Sequence, residues 1–240
     1  MSSLPIHSIV DTFVAPACND FVQILYQDAD ILLINKPSGL LSLSGKNPLN
    51  WDSVHYRLVH GYLVKGEAGL SPALPSAKLA HRLDFGTSGI MLLALNELSL
   101  QHLNRQFQAA TIKKSYIAVL EGWLAQDQGQ ITAAIAKDKS QFPLVKICNN
   151  SGKQAVSHYR VLQRLEQPPR SLVQFMPVTG RTHQLRIHSQ FIGHPILGCD
   201  LYKSTSSQQL AKRLLLHATE LSFVHPSTHK IVQVHCPWPF

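Results

Sequence analysis

An α+β fold built on a mixed, largely antiparallel sheet is what this sequence predicts. Extended apolar segments outnumber amphipathic helical ones, regular strand–helix alternation is absent, and 45% hydrophobic content over 240 residues suffices for a substantial core. Residues 22–26 and 31–36 read as two short strands around the polar Gln27-Asp28-Ala29-Asp30 turn, closed by Pro37-Ser38-Gly39. Trp51, Val54, Leu58 and Tyr62 recur near helical spacing behind Asn50, and Leu100, Leu103 and Phe107 do so ahead of Thr111; both stretches predict helices with their apolar faces in the core. Between them, residues 77–80 and 90–95 are strand-like apolar runs. From Lys114 the pattern turns extended, predicting strands over 115–120, 130–136, 155–165 and 171–177. Residues 184–192 predict a helix and 211–215 a shorter one, before closing strands over 221–224 and 231–234. The loops around 66–76 and 167–170 are the expected flexible insertions.

Lys and Arg outnumber Asp and Glu by 22 to 14, and the resulting charge of +8 favours a polyanionic partner, nucleic acid first. The first 20 residues lack the basic-then-apolar pattern of a secretory signal, and no apolar run reaches 18 residues, so a cytoplasmic protein is expected. Cys18, Cys148, Cys199 and Cys236 are scattered without a close pair, which fits neither a zinc knuckle nor a disulfide framework. Thirteen His do not by themselves suggest a metal, and His183 and His188, five apart, are awkwardly spaced for chelation on one helical face.

Chemistry concentrates in His81-Arg82-Leu83-Asp84-Phe85-Gly86-Thr87-Ser88-Gly89, a glycine-bounded turn between two apolar runs. A neighbouring guanidinium favours the charged form of a carboxylate, which makes Asp84 a candidate nucleophile or general base; an Asx-type turn that only caps its own backbone is the plain alternative. Tyr116, in an extended apolar run, would by itself be a core residue, Arg186 a surface charge, and Arg181 after Gly180 a phosphate ligand near a helix start. Two superficial matches fail. Asp84-Phe85-Gly86 lacks every companion motif of the protein kinases, and residues 39–47 have five residues between Gly39 and Gly45 where a phosphate-binding loop needs four, with Asn47 in place of its Ser/Thr.

The nine-residue string resembles the signature His-Arg-Leu-Asp-x-x-Thr-Ser-Gly of the RluA-type pseudouridine synthases. Asn35-Lys36-Pro37-Ser38-Gly39, Lys113-Lys114-Ser115-Tyr116 and the run from Thr179-Gly180-Arg181-Thr182-His183 to Gln184-Leu185-Arg186-Ile187-His188 are similar to further elements of that family, in the same order. Gly193-His194-Pro195-Ile196-Leu197-Gly198 and Leu215-Leu216-His217-Ala218 extend the likeness to about residue 237. The resemblance implies a pseudouridine synthase fold with an N-terminal extension over 1–20 and a catalytic domain over 21–240. It implies Asp84 as the essential carboxylate, Tyr116 against the target base with a part in proton transfer, and Arg186 as the ion-pair partner of Asp84. Arg82 is implied to fill the space left by the everted nucleotide, and His81, Thr87, Lys36, Lys114, Arg181 and His183 to contact the RNA. In Gly198-Cys199-Asp200 a Cys stands where many relatives carry Asp. Larger members add an S4 RNA-binding domain; here the first catalytic element begins near residue 22, so the single domain is expected to find its RNA by itself.

Isomerising uridine breaks a C–N glycosidic bond, turns the uracil and forms a C–C bond from C5. No redox step or electron sink is involved, so neither cofactor nor metal is expected. The residues leave open whether Asp84 attacks C1′, adds to C6 or removes a sugar proton. The expected substrate is structured RNA, 23S ribosomal RNA and/or a tRNA anticodon stem-loop, acted on by a monomer without a membrane partner. The alternatives are a tRNA-only enzyme and a non-catalytic RNA-binding module on the same scaffold.

Overall fold

A computed structural model describes residues 13–141, 143–202 and 204–240. The expected extension over 1–20 therefore lies partly outside the described residues. In chain order the elements are β1 (Val22–Gln27), β2 (Ile31–Lys36), α1 (Val54–His60), β3 (Val64–Gly66), β4 (Gly69–Leu70), β5 (Lys78–Leu79) and β6 (Ser88–Ala94). They continue with α2 (Glu97–Gln108), β7 (Lys113–Glu121), β8 (Gln128–Thr132), β9 (Ile135–Lys137), β10 (Val145–Ile147), β11 (Val156–Leu165) and β12 (Arg170–Pro177). The chain ends in α3 (Gln184–Phe191), α4 (Thr205–Gln209), β13 (Leu216–Val224) and β14 (Ile231–His235).

One large sheet runs β4-β3-β1-β2-β6-β13-β7-β12-β11-β8, with β14 on β13 and β5 on β6; β9 and β10 form a separate two-stranded sheet. Its ladders are antiparallel except β1–β3 and β6–β13. This is the expected α+β architecture. At β2 and β6 both faces of the sheet are covered, which is why those strands read as unbroken apolar runs. Leu32, Ile34, Met91 and Leu93 pack with Val54 and Leu58 of α1, whereas Ile31, Leu33, Ile90 and Leu92 pack with Leu103 of α2. A third cluster gathers Ala118 and Leu120 of β7, Val173 and Phe175 of β12, and Leu185 and Ile187 of α3. Tyr116 packs against both the α1-side and the α3-side clusters, so it marks the seam between them.

Four expectations change. The predicted helix over 211–215 is extended chain, with Leu214 and Leu216 buried on alternate positions and the Leu215 N–H paired with the Leu197 carbonyl; the short helix forms earlier, as α4. The predicted strand over 130–136 is two strands in different sheets, β8 and β9, joined at the small residues Ala133 and Ala134. The loop 66–76 is pinned: β3 and β4 form a hairpin, and the Leu74 N–H bonds to the Leu58 carbonyl of α1. The segment 167–170 is only the tight connection between β11 and β12, not an insertion.

Upstream of β1, the chain is held by Arg57, a fully buried guanidinium that sequence reasoning passed over. It pairs with both oxygens of Asp52 at 2.6 and 2.7 Å and donates to the carbonyls of Asp20 and Cys18.

Candidate active site

The turn that carries Asp84 is fixed through its carbonyls. The Leu83 carbonyl accepts from Ser42 Oγ (2.7 Å), that of Asp84 from the Thr87 N–H (3.1 Å), and that of Phe85 from the Gly39 N–H (3.0 Å). Gly86 accepts from Ser38 Oγ (2.7 Å), and Thr87 from Lys36 Nζ (2.8 Å). Five successive acceptors are thus satisfied, four of them by residues 36–42, so the Asn35-Lys36-Pro37-Ser38-Gly39 motif is the cradle of the turn. Lys36 also donates to Pro37 and Phe85 and is fully buried. The expectation that Lys36 touches RNA is therefore corrected: its ammonium faces inward, where burial pushes its pKa down to about 7 against the pull of Asp84.

Gly89, two residues beyond Thr87, has φ +111° and lies so close to β13 that a Cβ there would sit 2.3 Å from the Ala218 carbonyl oxygen. Only glycine lets β6 enter its parallel pairing with β13 directly after the turn.

Asp84, Tyr116 and Arg186 line one cavity of about 230 Å3, together with Arg82, Lys114, Arg181 and His183. They come from the turn before β6, from β7 and from α3, three elements brought together at the seam between the two clusters. Burial raises the Tyr116 hydroxyl well above its ordinary pKa, and the Asp84 charge adds to this, so the phenol is neutral at pH 7. Arg186 is 3% exposed. Its Nη1 is 4.0 Å from Asp84 Oδ2, while its Nη2 donates to Asp200 Oδ1 and, at 3.4 Å, to Cys199 Sγ. The expected ion pair with Asp84 is present at the outer limit of contact, and the closer carboxylate is Asp200, which sequence reasoning did not single out. The Arg186 guanidinium also lies 5.6 Å over the Tyr202 ring. Its Nε is buried without a hydrogen-bond partner among the described residues.

His183 precedes α3 in the left-handed conformation, φ +52°. Its Nε2 is 4.0 Å from Asp84 Oδ1 and its Nδ1 is 2.9 Å from the Tyr202 hydroxyl, which also accepts the Val145 N–H at 2.8 Å. Burial lowers the His183 pKa despite Asp84, so the ring is neutral above pH 6.5. The loop 179–183 is shaped by the buried Gln184 amide, which takes bonds from Thr179 Oγ1 and the Arg181 N–H and gives bonds to the Val156 carbonyl and Ser157 Oγ.

The remaining expected RNA contacts divide by exposure. Arg82 and Arg181 are exposed, and Lys114 is half-buried with no acidic partner among the described residues. Thr87 is 2% exposed and therefore part of the wall. His81 also borders the cavity, but its Nε2 accepts the Leu92 N–H at 3.0 Å and its ring packs on Phe107; burial and Lys114 push its pKa down to about 3. It orients the turn more than it presents a donor.

Among the described residues one group gathers metal-type ligand atoms, Asp28, Asp30 and His225, and none of them lines this cavity. Asp28 is already occupied as the acceptor of the Asp30 and Ile31 N–H groups, the Tyr26 hydroxyl and His225 Nε2, closing the β1–β2 turn. No helix among the described residues is long and apolar enough to cross a membrane.

With this geometry in view, comparison with known proteins is specific. A description of the RNA pseudouridylate synthase family matches residues 30–191. The dual-specificity RNA pseudouridine synthase RluA of Haemophilus ducreyi is 42% identical over 220 residues, covering 90% of this chain and 93% of the relative. Its Escherichia coli namesake is 36% identical over 225 residues, covering 94% and 97%. Human RNA pseudouridylate synthase domain containing 1 superposes with a TM-score of 0.74 at 28% identity, over 94% of this chain and 86% of its own. The chain belongs to the RNA pseudouridylate synthase family and is an enzyme that isomerises uridine to pseudouridine in RNA.

Proposed function

We propose that Asp84 is the reacting carboxylate of this isomerisation, that Tyr116 lies against the everted uracil and takes part in moving the C5 proton, and that Arg186 fixes the charge field in which Asp84 acts. The observation that carries the reading is the convergence of these three side chains, from three separate elements, on one cavity. That cavity is smaller than the ~300–1,000 Å3 of sites for drug-sized ligands; it admits a base removed from its stack, not a helix. The C1′–N1 bond breaks, the uracil turns within the cavity, C5 bonds to C1′, and the proton lost from C5 is balanced by one gained at N1. Product and substrate are isomers, so no oxidant, reductant, cofactor or metal enters the balance.

Two kinds of RNA substrate are proposed, 23S ribosomal RNA and a tRNA anticodon stem-loop, because relatives that match the chain over nearly its whole length carry the name dual-specificity. Such substrates put the enzyme in the cytoplasm, where a monomer suffices, since all three proposed residues come from one chain. The test is base-resolution mapping of pseudouridine after incubating the protein with unmodified ribosomal RNA and, separately, tRNA. Both should be modified at discrete uridines. Asp84→Asn should abolish product on both, a loss of at least ~10^4-fold, while RNA affinity stays within a few-fold. Turnover retained by Asp84→Asn would remove Asp84 from the chemistry.

A further inference from the structure

The lysines of the chain are unevenly distributed. Residues 135–153, which contain β9 and β10, carry Lys137, Lys139, Lys146 and Lys153 against the single acid Asp138, a net +3 (4 − 1) within a total of +8. All four lysines are exposed. The hairpin has an apolar underside: Ile135 and Val145 are buried in the cluster that holds Leu185 and Ile187 of α3. Its base is closed by paired backbone bonds between Ile135 and Lys153 (2.8 and 2.9 Å). It is therefore a docked arm of defined position.

That position is tied to the cavity at two points. At the base of the arm, Arg181 of the cavity wall donates through Nε to the Gln154 carbonyl at 3.1 Å, which sets its exposed guanidinium beside Lys153. On the underside, the Tyr202 hydroxyl joins the Val145 N–H of β10 to His183, the residue 4.0 Å from Asp84. The first link makes a basic path from the cavity onto the arm. The second fixes the distance between arm and carboxylate.

We propose that the β9–β10 hairpin, with Lys153 and Arg181 at its base, is a phosphate-gripping arm that holds the RNA strand flanking the everted uridine. It contributes affinity and register, and leaves the chemical step to the cavity. This rests on the reading of the cavity as the site that takes an RNA base. Phosphate contacts carry no sequence information, but they set where along the strand a site engages, and an arm held rigidly to the turn converts grip into a choice of uridine. The occupant is a polyanionic strand because four exposed cations with one acid between them have nothing else among the described residues to neutralise them; Lys146 is 3.9 Å from Asp138, and the other three have no ion pair.

The test compares wild type with Lys137→Gln/Lys139→Gln/Lys146→Gln, all exposed positions, and with the matching triple Arg variant, after thermal unfolding shows equal stability. The RNAs are unmodified tRNA and 23S ribosomal RNA transcripts, and a uridine-centred trinucleotide too short to run from the cavity onto the arm. On the long RNAs the Gln variant should bind about tenfold or more weaker, with the slope of log affinity against log salt reduced by ~2 for three lost single-strand phosphate contacts. The Arg variant should restore both. The single-turnover rate at saturating RNA should stay within about twofold of wild type, and on the trinucleotide, which has no strand to reach the arm, the affinity difference should vanish. Unchanged affinity and salt slope on the long RNAs would overturn the arm, as would an acidic protein partner being the only ligand affected. A lowered saturating rate at unchanged affinity would also overturn it. Binding is measured apart from turnover, so a wild-type protein that modified neither RNA would defeat the functional reading while the affinity comparison still decided the arm.

Discussion

A carboxylate proposed to react with a nucleotide has to be placed firmly and left open, and Asp84 is held in that way. Its backbone carbonyl closes the turn to Thr87, its side chain makes no hydrogen bond among the described residues, and His183 and Arg186 stand at 4.0 Å from it. Asp200 is what keeps Arg186 from closing on it, by taking Nη2 with the Cys199 sulfur alongside. Asp200→Asn should release the guanidinium toward Asp84 and lower the single-turnover rate at saturating RNA about ten- to a hundredfold, the scale of a 1 Å misplacement. RNA affinity should be little changed, and Asp200→Glu should recover most of the rate. Lys36 offers a pH test at the same scale. Its folded-state pKa of about 7 lies below the ordinary lysine value, so from about pH 7 to 10.5 the unfolded chain binds more protons than the folded one. Stability from this group therefore rises with pH across that window, by up to ~1.4 kcal/mol per unit, and the cost of charging it is fully present below the window. Lys36→Met should remove the slope between pH 7 and 9 in denaturant unfolding. It should also lower stability at pH 9, because the neutral amine still donates to two of the three carbonyls around it and methionine donates to none.

Elements meet at the site through close backbone approach. The parallel pairing of β6 with β13 is confined to Ser88, Gly89, His217 and Ala218, and it holds the end of the Asp84-bearing turn against the middle of the sheet. Next to it Ser88 Oγ contacts His217 Nδ1 at 2.9 Å and receives Arg213 Nη1 at 3.2 Å. Ser88 and His217 are both buried, and burial drives the His217 pKa down to about 4, so this Ser–His pair braces the strands and no substrate reaches it. Gly89→Ala should push β6 off β13 and lower stability by ~3 kcal/mol or more, as a Cβ forced onto a backbone carbonyl at positive φ requires. The check is the denaturant midpoint, and activity should fall with the folded fraction at the assay temperature.

Across the whole molecule the charge has a direction. Arg82, Lys114 and Arg181 line the cavity, and the lysine-bearing hairpin continues from Arg181, so a large share of the +8 lies on one course. Binding of a structured RNA should weaken steeply with salt, by about a hundredfold or more between ~50 and ~200 mM for four to six phosphate contacts. The chemical rate at saturation should be nearly flat over that range, because the groups proposed to react line a cavity in which Arg186 is screened from bulk ions by burial. Titrating affinity and single-turnover rate against salt separates the two.

The order of apolar and polar residues determined the fold class, most strand positions and the amphipathic helices α1 and α2, because each of those depends on a period that survives in one dimension. The chain also showed Asp84, Tyr116 and Arg186, since a motif lies contiguous in sequence. Tertiary structure alone decided what these residues meet. That Lys36 turns inward to three carbonyls, that Asp200 is the nearer anion of Arg186, and that Tyr202 joins a distant hairpin to His183 are contacts across separations in sequence that no local pattern encodes. The run Leu214-Leu215-Leu216 shows the same limit at the level of an element. Its composition suits a helix as well as a strand, and only the pairing of Leu215 with Leu197, on a neighbouring segment, made it extended.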